Sequence, residues 1–149
     1  MRRPTHPLHT VFVHFPIALL GTSLAFDLLG LARDEASWWA ISYWNIALGL
    51  AVSVITMVTG LIDSMRVPQD SPAAAIVTRH MIAMLAALSC YGAALAFRPV
   101  GRPPTAGALV ATLALEGVGL GLLLLGGFLG GELVYRHGVG VAKPGGSPS

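Results

Sequence analysis

The sequence predicts an all-α polytopic membrane protein, an antiparallel bundle of four transmembrane helices, on three observations. Of its 149 residues, 54% are hydrophobic and only 11% are charged, with a mean hydropathy of +0.72. Four apolar runs each reach the roughly 20 residues that a helix needs to cross a hydrocarbon core. The breaks between them carry the prolines and charges that end helices.

The first run, residues 11–32, is VFVHFPIALLGTSLAFDLLGLA. It follows Arg2 and Arg3 as a signal peptide would, but no small-x-small cleavage site closes it and Asp27 interrupts it, so it reads as a retained span. RDEAS separates it from the second run, residues 40–62. RVPQDSP precedes the third, residues 73–97, and RPVGRPP precedes the fourth, residues 106–135. These runs are long, continuous and rich in Ala, Leu and Gly, whereas a membrane barrel needs short alternating segments. Residues 1–142 therefore form one membrane domain, and residues 143–149, with the makeup of a disordered tail, close the chain.

A net charge of +2 and the lack of a basic stripe with interleaved aromatics exclude a nucleic-acid partner. The single cysteine, Cys90, cannot form an internal disulfide and reads as a small core residue. No C-x-x-C-H, H-E-x-x-H, Walker loop or G-x-S-x-G occurs.

Four spans put both termini and the loop between the second and third spans on one side. That side holds Arg2, Arg3, Arg66, Arg79, Arg136 and Lys143, and the other holds Arg33, Arg98 and Arg102. The bias places both termini in the cytoplasm. Trp38, Trp39, Tyr43 and Trp44 would then form an aromatic belt at the outer interface.

His6, His9 and His14 stand at the entry of the first span, His80 near the start of the third and His137 just past the fourth, so all five share the terminal side with Asp63 and Glu132. Asp27 lies 13 residues beyond His14, about 20 Å deeper, and Glu116 has a similar depth. Intramembrane acids are costly and face a bundle interior or water. The pair is expected as neutral acids bonded to each other or to Thr22, Ser23 or Asn45, with a proton relay as the sharper reading. Pro16 is expected to begin the regular part of the first helix, leaving His14 at its cap. In the fourth span, Gly117 to Gly121, Gly126 to Gly130 and Gly127 to Gly131 are four apart, a spacing that lets helix backbones approach or clears room for a flat cofactor.

The two ends, HPLHTVFVHFPIALL with DLLG at the start and GGELVYRHGVGV at the close, resemble the bacterial membrane family catalogued as domain of unknown function 2231, over nearly the whole chain from about His6 to Val141. One departure is Thr10, where that family often has a proline. The resemblance implies a compact four-span inner-membrane protein and points by motif to His6, His9, His14, Asp27 and His137. In relatives the segment can be joined to a Rieske-type iron–sulfur domain, which implies a redox setting. A Rieske-type partner here would be a separate chain.

Three functions fit these residues. The first is a b-type haem protein in electron transfer, with His14 and His80 as axial ligands from parallel, diagonal helices and with His9 or His137, beside Glu132 or Asp63, fixing the imidazole tautomers. The second is a transition-metal site drawn from His6, His9, His14, Asp63, His80, Glu132 and His137, extended to a permease if Asp27 and Glu116 form the outer half of a path. The third is a scaffold subunit or homo-oligomer with pH-sensitive histidines and no cofactor. All three describe an electron-transfer or binding protein rather than a stand-alone enzyme.

Overall fold

The computed structural model describes residues 8–141, and every regular element among them is helical: α1 (Leu8–Phe12), α2 (His14–Arg33), α3 (Ala36–Ser64), α4 (Pro72–Ala96) and α5 (Ala106–Tyr135). His6 and residues 143–149 lie outside the described residues. Four segments are long and apolar enough to cross a membrane: His9–Arg33, which joins α1 to α2, then α3, α4 and α5.

α1 and α2 form one span with a break at Val13. Pro16 has no N–H to give the Phe12 carbonyl, and its ring crowds that carbonyl. The neighbouring bonds persist, from the Val13 N–H to the His9 carbonyl at 3.0 Å and from the Ile17 N–H to the Val13 carbonyl at 3.3 Å. The helix therefore does not begin at Pro16, and His14 is not its cap. The proline φ is itself helical, so the ring removes one bond without stopping the helix.

The turns are short. Asp34 ends α2 in a left-handed conformation, φ 53°, and its N–H returns to the Gly30 carbonyl. Ser71, extended, leads into α4 with Pro72 in the first turn. After α5 the chain reverses at Gly138, φ 64°, with the Val139 N–H on the Leu133 carbonyl at 2.9 Å. That turn lays Val139 on a small cluster of Val67, Ala73 and Leu133, which closes the terminal end.

Packing runs round the bundle from α2 to α3, α4, α5 and back to α2, most closely within the hairpins α2–α3 and α4–α5. The buried positions recur every three or four residues: Pro16, Leu20, Ser23, Asp27 and Gly30 on α2, and Thr112, Glu116, Gly119, Leu123 and Gly126 on α5. The interior is thus built largely from small, hydroxyl-bearing and charged residues, while Phe128, Leu124 and Ile82 stand 70%, 66% and 62% exposed. Apolar surface on this scale is stable only against lipid, and the chain is a membrane protein.

Leu20, Ile46, Ala87, Tyr91 and Leu123 form a core at mid-height. It separates a terminal end from a far end, where the α2–α3 and α4–α5 loops lie.

Two sequence expectations are corrected here. Trp39 does not join an interfacial belt: it is buried, and its indole fills the space that Gly30 leaves, where a Cβ would come within 2.7 Å of the ring. Trp38 stacks on Phe26 at 6.0 Å, and Tyr43 and Trp44 meet edge to face at 5.5 Å with Trp44 exposed. The α5 glycines that matter are Gly119, Gly126 and Gly130, which receive the side chains of Tyr91, Met84 and His80, whereas Gly117, Gly121 and Gly127 have no atom within 4 Å of a Cβ position. Side chains rather than a second backbone fill the inner stripe. Cys90 is half-buried beside Gly119.

Candidate functional site

Counting back along α2 from Asp27 through Ser23, Leu20 and Pro16 in steps of three and four reaches Val13 and then His9. The histidine of the first span that enters the interior is accordingly His9. Its Nδ1 lies 2.9 Å from the Thr56 carbonyl oxygen of α3. On the opposite wall, His80 Nδ1 lies 2.8 Å from the Gly126 carbonyl oxygen of α5.

Both carbonyls are open for the same reason. Each precedes a glycine by four residues, Gly60 in α3 and Gly130 in α5, so no side chain covers the oxygen from the next turn. A Cβ at Gly60 would come within 2.9 Å of the His9 ring, and one at Gly130 within 3.3 Å of His80. The ring centroids of His9 and His80 are 6.5 Å apart, with the planes at 87°. A carbonyl only accepts, so in each neutral ring Nδ1 is the protonated nitrogen and Nε2 holds the lone pair. Two ligand-competent imidazoles thus meet across the terminal half of the bundle.

The far end holds a second constellation. Arg98 follows α4 by two residues and turns inward, donating from Nη1 to Glu116 Oε1 at 2.7 Å and from Nη2 to Asp27 Oδ1. The Arg98, Asp27 and Glu116 side chains are 1%, 0% and 0% exposed. The Ser23 hydroxyl lies within reach of Glu116 Oε2 at 3.1 Å and of the Leu20 carbonyl at 2.9 Å, and Ser42 donates to the Ser23 carbonyl at 3.0 Å. Asp27 Oδ2, Arg98 Nε, Tyr91 Oη and Thr112 Oγ1 are buried and bonded to no protein group.

The expected acid pair is therefore joined through a cation that the sequence reading placed in an outer loop. Arg98 extends the buried stripe Ala87, Tyr91, Ala94 of α4 by one more turn, a spacing that could have revealed it. Thr22 and Asn45 take no part, since they bond to each other at 3.1 Å on the outward face.

A family model described as "Predicted membrane protein (DUF2231)" matches residues 5–143, from the histidine-rich entry to the closing turn. The chain belongs to this family. No curated protein and no solved structure matches it. This DUF2231 protein thus carries two polar sites at opposite ends of one bundle, both built on the inner helix stripes.

The remaining candidates do not converge on the histidine pair. His14 is exposed on α2, one position beyond the buried stripe. The break at Val13 does not change this, because His14 still follows the buried stripe by one position, about 100° around the helix. Asp63 pairs with Arg66 at 2.9 Å and Glu132 with Arg136 at 3.0 Å, both near the helix ends. His137 is half-buried beside the closing turn. Among the described residues, no three His, Cys, Asp or Glu side chains are grouped to hold a metal ion.

Proposed function

We propose that this DUF2231 protein is a single-haem electron carrier of the membrane, with His9 and His80 as the axial ligands. The observation that carries the reading is their ring separation of 6.5 Å. At that spacing the two rings would hold one haem iron between them, with metal–nitrogen bonds of about 2 Å. Both Nδ1 atoms are engaged by helix carbonyls, which orients the rings and fixes their tautomers.

The ligand count favours haem over a bare ion. A macrocycle brings four equatorial nitrogens and asks the protein for two, which is what the bundle offers. An ion without a macrocycle would need a third or fourth protein ligand, and none joins the pair among the described residues. Haem would supply one-electron chemistry at this position. His9 and His80 would set its orientation, and the apolar interior would limit water access.

The same reading puts the termini and the α3–α4 loop in the bacterial cytoplasm, on the excess of arginine and lysine there. The electron partner is a separate chain, for which the family resemblance offers a Rieske-type iron–sulfur protein.

The test is the absorption spectrum of full-length protein made with ample haem supply, together with a haem-to-protein ratio. The expected result is one low-spin b-type haem per chain, reducible by dithionite. A colourless protein with a stoichiometric metal would move the reading to a bare metal site, and a colourless, metal-free protein would leave a scaffold role.

A further inference from the structure

The far-end cluster has no part in that reading and stands independently of it. Arg98 stays protonated in any protein setting, so it balances one carboxylate. Asp27 and Glu116 are two, each bonded to it and each fully buried. With both ionised the interior would hold a net negative charge, and an uncompensated charge in such surroundings is strongly unfavourable. Among the described residues, the other side chain hydrogen-bonded to either acid is Ser23, whose hydroxyl lies against Glu116.

The groups that face the cluster come from every element around it. α2 gives Asp27 and Ser23, α4 gives Tyr91 beside Cys90, the chain after α4 gives Arg98, and α5 gives Glu116 and Thr112. α3 contributes Ser42, and its only charged residue, Asp63, is at the opposite end. Among the described residues, no second cation pairs with either acid. Four polar atoms in and around the cluster, on Asp27, Arg98, Tyr91 and Thr112, are buried without a protein partner. Unsatisfied buried polar groups are where internal water binds, at about three hydrogen bonds per molecule.

We propose that Asp27, Arg98 and Glu116 form an internal proton-holding site: the two carboxyls share one exchangeable proton, and water bound at the unpartnered atoms connects it to the far membrane surface. In release, the carboxylic acid gives its proton to that water, forming a carboxylate and hydronium, and the cluster passes from neutral to a single negative charge. Arg98 remains charged throughout and holds both acids in place. The proton belongs to the pair rather than to either residue.

Infrared spectroscopy of the full chain in lipid nanodiscs tests this, with 13C label placed in the side-chain carboxyls of either aspartate or glutamate. The expected result at neutral pH is a carbonyl stretch equivalent to one protonated carboxyl per chain. It should shift with one or both labels, move down on transfer to D2O and disappear as the pH is raised. Asp27→Asn with Glu116→Gln should remove it, and the labelled native chain gives the same answer if that variant does not fold. Absence of the band, a band equivalent to two acids, or a band unmoved by D2O would each overturn the proposal.

Discussion

Arg98 and Asp27, separated by 71 residues, form an ion pair in which both side chains are essentially inaccessible to solvent. With Glu116 on the other arm of the guanidinium, this contact ties α2, α4 and α5 together at the far end. Removing one partner of a buried pair leaves a charge without compensation. Arg98→Met is therefore expected to destabilise the fold by about 3 to 5 kcal/mol, read as a shift of helix loss in detergent denaturation. Adding Asp27→Asn and Glu116→Gln to it should recover most of the loss, because no buried charge then remains.

The α5 glycines separate into two kinds. A Cβ at Gly119 would come within 2.9 Å of the Tyr91 ring, whereas one at Gly117 meets nothing within 4 Å. Gly119→Ala should cost about 1 to 3 kcal/mol through overpacking. Gly117→Ala should be neutral or stabilising by up to about 1 kcal/mol through helix propensity. Thermal unfolding of the two variants followed by circular dichroism checks the contrast.

The carbonyl-access glycines give a third prediction. Gly60→Ala places a methyl where His9 lies, and Gly130→Ala places one against His80. The first is under 3.0 Å and the second is 3.3 Å, so Gly60→Ala should perturb its ring more. If haem is bound, its reduced spectrum should lose more low-spin character in Gly60→Ala than in Gly130→Ala, with Gly127→Ala as the unchanged control.

Topology is checked by fusions at the C-terminus. A cytoplasmic reporter after Ser149 should be active and a periplasmic one silent if the excess of arginine and lysine on the terminal side sets the orientation.

The fold was legible because it rests on run length. The fourth run, 106–135, coincides with α5 (Ala106–Tyr135), and the second differs from α3 (Ala36–Ser64) only by a few residues at each end. The sites were less legible because they depend on which face a residue occupies. His14 lies within the apolar run 11–32 and His9 just before it, so run position favours His14. The interior stripe runs through His9 instead, as the three- and four-residue steps from Asp27 show. Arg98 opens the break RPVGRPP, which suggests a loop cation, yet the three- and four-residue periodicity carried past Ala94 turns it inward. The Gly126–Gly130 spacing was visible, but its use, opening a carbonyl to an imidazole, needed the position of His80.

The proposed ligand pair is His9 and His80 rather than His14. The most direct measurement is the dithionite-reduced absorption spectrum of His9→Ala, His80→Ala and His14→Ala beside the native chain, all prepared with haem. A low-spin spectrum is expected in the native chain and in His14→Ala, and its loss or conversion to high spin in His9→Ala and in His80→Ala. A native chain without Soret absorbance, or a low-spin spectrum that survives His9→Ala and disappears in His14→Ala, would contradict it.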